Sequence, residues 1–266
     1  MALLYQNRQY IRNNIAKKRE DGRTNEQFRD ITIETGIIGR AEGSARVKIG
    51  DTEIIAGVKT EIGKPYPDSP SEGVIMVNSE FSALASPDFE NGPPREDSIE
   101  LSRVVDRGIR ESKTVDVEKL CIEKGEKVWM VFVDITIVNH DGNLIDAAGI
   151  GAITALLTAQ LPKLNEDGTV EREEFEGNLP ITQIPVPVTS GLINNTIITD
   201  MSKDETECSD ARFTVTTIEN ENYCAMQKAG PSELTEEQML KIADIAQKES
   251  KRIRAAIKTA VKKHKA

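Results

Sequence analysis

Three arginines, Arg103, Arg107 and Arg110, recur at spacings of four and three residues. On an α-helix this places them on one stripe. Guanidinium groups in a row can follow a phosphate backbone, because each planar fork offers paired N–H donors to phosphate oxygens. Taken alone, such a stripe is more often a solvated face, here with Asp106 and Glu111 as local ion-pair partners. Asp200, Asp204 and Asp210 crowd one later segment. Carboxylates near strand ends are more often turn or cap residues than acids or metal ligands, so no catalytic residue is assigned there. Cys121, Cys208 and Cys224 form no Cys-x-x-Cys pair, and the histidines are His140 and His264. This set predicts neither a metal centre nor a cofactor.

These residues need elements to hold them. Leu101, Val104, Val105, Gly108 and Ile109 recur at helical spacing, so 97–112 reads as a helix with its arginines opposite its apolar face, capped by Asp97 or Ser98. The run 127–138, from Val128-Trp129-Met130 to Ile137-Val138, is strongly β. A turn at His140-Asp141-Gly142-Asn143 leads into a small-residue helix from Asp146 to Gln160. Gly50-Asp51 between two β-rich runs reads as a hairpin, and 73–81 as a further strand. The proline-rich stretches 63–71 and 86–95 are loops, and residues 1–20 an N-terminal helix. Strands are expected at 184–189, 192–199 and 211–219. A closing helix from about Thr235 to Lys263 should bury Leu240, Ile242, Ala246, Ile253, Ala256, Ile257 and Ala260. Its basic end suits the helix dipole.

The pattern is α+β. It divides into an N-terminal helical extension over 1–29, a first domain over 30–165, a polar linker over 166–183 and a second domain over 184–266. Net charge is −10 and aromatic residues are 4% of the chain. Broad nucleic-acid binding and base-stacking recognition are therefore disfavoured, and any nucleic-acid site must be a local basic patch. An odd cysteine count, with no signal peptide and no membrane-length apolar run, fits a reducing cytoplasm.

The stretch Glu100-Leu101-Ser102-Arg103-Val104-Val105-Asp106-Arg107-Gly108-Ile109-Arg110 resembles the arginine helix of the RNase PH family. The hairpin at 44–58 is similar to that family's early strands. Residues 130–152 resemble its second signature, a strand running into Asp-Gly-Gly-Thr-Arg and a small-residue helix. The loop Ser86-Pro87-Asp88-Phe89-Glu90-Asn91-Gly92-Pro93-Pro94, together with Asp106-Arg107 and Ser209-Asp210-Ala211-Arg212, resembles the non-catalytic branch found in archaeal exosomes. The resemblance implies an RNase PH-like, ribosomal protein S5 domain 2-like fold of sheet and helix layers. It also implies 3′-to-5′ phosphorolysis, in which inorganic phosphate attacks the terminal phosphodiester.

That chemistry needs cations and N–H donors to hold a phosphate dianion in line. The matching run here is Asp141-Gly142-Asn143-Leu144-Ile145, with Leu144 at the hydroxyl position and Ile145 at the arginine position. Neither can bind phosphate. The resemblance then implies a catalytically inactive subunit that retains Arg103, Arg107 and Arg110 for RNA. Lys64 and Arg95 are weaker candidates. The partners it implies are a catalytic RNase PH-like sister in a hexameric ring of three heterodimers, RNA-binding caps of the S1 and KH kind, RNA, and no membrane. The alternative is an active phosphate-dependent exoribonuclease, favoured by the arginines and opposed by Leu144 and Ile145.

Overall fold

The structure is a computed structural model describing residues 2–90, 92–165 and 170–264. In chain order the elements are α1 Ala2–Asn14, β1 Ile31–Thr35, β2 Gly43–Ile49, β3 Thr52–Gly63, β4 Val74–Phe81, α2 Glu96–Glu111, β5 Cys121–Glu123 and β6 Lys127–Asn139. Then follow α3 Leu144–Thr158, β7 Gln160–Leu164, β8 Val170–Asn178, β9 Val186–Ile193, β10 Thr196–Thr199, α4 Lys203–Cys208, β11 Ala211–Thr217, β12 Tyr223–Ala229 and α5 Glu236–His264.

Period-two alternation builds the first sheet. Ile54, Ala56, Val58 and Thr60 of β3 are buried opposite Ile137, Ile135, Val133 and Val131 of β6. The sheet order is β1-β2-β3-β6-β4, with β5 added beside β6. The β4–β6 pair is parallel. A parallel pair needs a crossover, and α2 lies on it. The second sheet is antiparallel, in the order β10-β9-β11-β12.

Helix α3 lies between the two sheets. It packs on β2, β3 and β9 and touches α2 and α5. A helix buried on nearly every side must be apolar all round, and from Ala147 to Leu156 every residue of α3 is buried. Its small residues allow that closeness. A Cβ at Gly149 would strike Pro187, and one at Gly151 would strike Ile54. One continuous core therefore runs from Phe28 and Ile54 through α3 to Val215 and Ile257. A second, smaller core pins α1 to the second sheet through Ile11, Ile15, Ile193, Ile198 and Met201.

Several expectations are corrected. Helix α2 starts after Arg95, which makes no side-chain cap, so neither Asp97 nor Ser98 caps it. Ser98 instead clamps the helix to β4: its hydroxyl donates to the Ser79 carbonyl at 3.1 Å, and the Ser79 hydroxyl donates to the Ser98 carbonyl at 2.8 Å. The strand break near Gly191 moves to Asn194-Asn195, both in the left-handed region at φ 46° and 61°. Such a pair makes the tight two-residue turn that suits strand twist. Leu240 is exposed and Ala256 only partly buried, whereas Ile245 and Arg254 face inward on α5. Arg254 is accommodated because the carbonyls of Ile184 and Thr217 each accept a bond from it at 3.0 Å. Within the polar stretch 166–183, residues 166–169 lie outside the described residues. Strand β8 lies inside that stretch and pairs with β7, just before it, as an antiparallel hairpin.

Candidate nucleic-acid interface

The arginine stripe forms as its spacing demands. Arg103, Arg107 and Arg110 are all exposed along α2, opposite the buried Leu101, Val104, Val105 and Ile109. Their surroundings differ. Arg103 makes no hydrogen bond or ion pair among the described residues. Arg107 reaches over β12 and donates to the Gln227 side chain at 3.2 Å and, at 3.5 Å, to the Met226 carbonyl. Arg110 is ion-paired to Asp106 one turn back. Lys64 is 82% exposed, 3.9 Å from Glu126, and Arg95 pairs with Glu90. The stripe thus presents one free guanidinium, one loosely held against an edge strand, and one neutralised locally.

The loop before α3 has stricter requirements. Gly142 sits at φ 85°, where a Cβ would collide with the backbone of Met201 and Ser202. Asn143 follows in the left-handed region at φ 50°, as the N-cap of α3, and its side-chain amide donates to Asp200 at 2.7 Å. Leu144 and Ile145 turn their side chains to the wall of a cavity of about 380 Å³. Leu101, Phe81, Phe89 and Met201 extend that apolar wall, and Asp97, Glu100 and Arg212 also line the cavity. Among the described residues, Arg212 is the one arginine or lysine lining it, and it stands 4.0 Å from Glu100. Burial, aided by the nearby Lys203, holds the His140 imidazole below its ordinary pKa, so it adds no cation at neutral pH. None of Arg103, Arg107 and Arg110 lines this space.

The three acidic candidates are latches. Asp200 is buried and accepts bonds from the Arg29 backbone N–H and guanidinium, from Arg23 at 2.8 Å, and from Asn143. Burial alone would raise its pKa, but Arg29 outweighs it and holds the carboxyl below its ordinary value. Arg29 also donates to Asp141, so it ties the loop before α3 to the second sheet. Asp204 accepts from Asn7 at 3.3 Å, and Asp210 from Arg12 at 2.9 Å and the Asn194 N–H at 2.9 Å. None of the three lines the cavity. Among the described residues, no group of three His, Cys, Asp or Glu side chains is placed to hold a metal ion.

Sequence reasoning missed Asp146. It is fully buried in the first turn of α3 and accepts bonds from the Thr189 N–H at 2.9 Å and the Thr189 hydroxyl at 2.7 Å. Burial pushes its pKa up to about 7. An acid in an otherwise apolar run was the signal. Arg212 stands in the sequence within the Ser209-Asp210-Ala211-Arg212 run, with nothing local to mark it as a cavity residue, and Arg23 and Arg29 carry no local signal.

The family model for 3′ exoribonuclease family domain 1 matches residues 27–162, and that for domain 2 matches residues 183–249. The chain belongs to the RNase PH family. Curated relatives include the exosome complex component Rrp42 of Methanothermobacter thermautotrophicus, 50% identical over 86% of each chain. The protein of that name from Thermococcus kodakarensis is 48% identical over 92% of this chain and 91% of its own. A chain of the Archaeoglobus fulgidus exosome, solved with RNA bound to the active site, superposes with a TM-score of 0.90 at 44% identity, covering 96% of this chain and 99% of that one. The run into α3 that lies inside the first matched region carries Leu144 and Ile145, neither of which offers a side-chain donor to an anion. No helix among the described residues is long and apolar enough to cross a membrane.

Proposed function

We propose that this chain is the non-catalytic RNase PH-like subunit of an archaeal exosome, a cytoplasmic complex degrading RNA 3′ to 5′ by phosphorolysis. It builds a hexameric ring of three heterodimers with a catalytic sister, under RNA-binding caps of the S1 and KH kind. One observation carries the inactive role: Leu144 and Ile145 form an apolar wall in a cavity whose single arginine already faces Glu100. A phosphate dianion placed there would lose its water and gain no free cation.

The deciding assay is RNA degradation with inorganic phosphate, by this chain alone and then mixed with a catalytic sister. The chain alone is inert, and the mixture releases nucleoside diphosphates faster than the sister does by itself. Release of diphosphates by the chain alone would overturn its inactivity. An unstimulated sister would remove its place in the ring.

Arg103, Arg107 and, to a lesser degree, Arg110 hold RNA on its way to the sister. Contacts of this kind read backbone and not base sequence. Arg107→Ala in the assembled ring is expected to weaken binding of a short single-stranded RNA about three- to tenfold at low salt. The salt dependence should flatten by about 0.7 of a log unit per log salt, the share of one phosphate contact. Unchanged affinity at low ionic strength would remove Arg107 from the interface.

A further inference from the structure

We infer that the cavity beside Leu144 and Ile145 is an anion-excluding cleft, in which Asp97 and Glu100 keep RNA 3′ ends off this chain. The inference rests on the proposed role in the ring and goes beyond it: the dead site is not merely empty of catalytic groups but is set against the substrate.

At about 380 Å³ the cavity is within the range of pockets that hold small molecules. A subunit that handles RNA and keeps such an opening offers each 3′ end a place to lodge without reacting. Loss of phosphate ligands alone would leave that opening neutral, and its charges make it repulsive. Asp97 is exposed and makes no hydrogen bond or ion pair among the described residues. Glu100 is partly exposed and is offset only by Arg212 at 4.0 Å. Of the basic groups outside the cavity wall, Lys203 is committed to Asp88, Arg95 to Glu90 and Arg29 to Asp200 and Asp141, and the unpaired Arg103, three residues after Glu100, does not line the cavity.

The start of α2 makes the same point. A helix N-terminus would ordinarily attract a phosphate. Here Glu96 and Asp97 fill the first turn, so the helix meets its positive end with its own carboxylates. Farther along the same helix the charge reverses to Arg103 and Arg107. One helix thus repels phosphate at its cavity end and attracts it along the outer stripe. Selectivity built from a repulsive element as well as an attractive one is the general way to suppress a wrong binding mode.

The test uses the assembled ring and a short RNA whose 3′-terminal base is photo-crosslinkable. In the parent ring, crosslinks fall on the sister and leave the 201–212 segment of this chain unlabelled. In the Asp97→Asn/Glu100→Gln ring, that segment becomes labelled. RNA binds about tenfold more tightly at low salt, and the rate of diphosphate release falls because ends are held unproductively. Asp97 is exposed and Glu100 partly so, so the double variant keeps the fold; an Asp97→Lys ring gives the same readouts with one change. Labelling of 201–212 in the parent ring, or unchanged labelling, affinity and rate in both variant rings, overturns the inference. Failure of the underlying role looks different: a ring that does not assemble, or whose RNA binding ignores Arg107.

Discussion

Asp200→Asn is expected to cost about 3–5 kcal/mol, because it removes the charge that two buried arginines share. The Arg23 and Arg29 side chains are 9% and 10% exposed, and Asp200 is not exposed at all. The asparagine keeps the shape but offers one neutral acceptor oxygen in place of the buried carboxylate, leaving Arg23 only the more exposed Asp21 and Arg29 only the more exposed Asp141 as charged partners. For a chain of this size the loss appears as a fall in melting temperature of roughly 10 °C. Parent and variant are compared in the same oligomeric state, since partner binding also stabilises. A loss below about 1 kcal/mol would mean that water reaches the arginines and replaces the carboxylate. Asp200 also sets an acid limit. Its folded pKa lies below the ordinary 3.8, so its contribution is complete above that value and is lost as pH falls through the lower, folded one.

Asp146 is expected to act in the opposite direction and near neutrality. Its folded pKa is raised from 3.8 to about 7. Between these values the folded chain holds a proton that the unfolded chain has released, so stability falls as pH rises from about 4 to about 7. At about 1.4 kcal/mol per pH unit, the full swing approaches about 4 kcal/mol. Asp146→Asn should abolish most of this slope and leave the variant the more stable of the two at pH 8. The hydrogen bonds can be kept. The asparagine oxygen accepts from the Thr189 N–H, its amide donates to the Thr189 hydroxyl, and that hydroxyl donates to Thr214, which lies 2.8 Å away. Denaturant melts of both chains from pH 4.5 to 8 decide the matter. Parallel curves would show that Asp146 is ionised throughout and stabilised by its two donors.

The two carboxylates also mark where the sequence stops being readable. The apolar stripe of α2, the Gly50 hairpin and the long β6 were legible because each follows from local periodicity or turn chemistry. Elements without such a pattern were missed. Helix α4 is only six residues long, and its one signal was the capping box between Ser202 and Glu205. Strand β12 is an edge strand of partly exposed residues with little alternation. Leu240 looked buried because its helix is amphipathic, but it sits just past the edge of the packed face. At the site, the arginine stripe and the apolar Leu144-Ile145 pair could be read in place. The partners of Asp200 could not, because Arg23 and Arg29 are 177 and 171 residues away and only the fold brings them in.

The pinning of α1 to the second sheet has a consequence in time. Arg19 has no exposed surface, and its guanidinium is bonded to Glu205 and to the carbonyls of Thr199 and Asp200, some 180 to 186 residues later. A ribosome adding about 5–20 residues per second takes roughly 10–40 s to cover that distance. Throughout that interval the segment around Arg19 is without the groups that will bury it. Helix α1 can coil, but it has nothing to dock on until the last third of the protein is made. The segment from α1 to Arg19 is therefore among the last parts to reach its final place, and its closure signals that synthesis has passed residue 205.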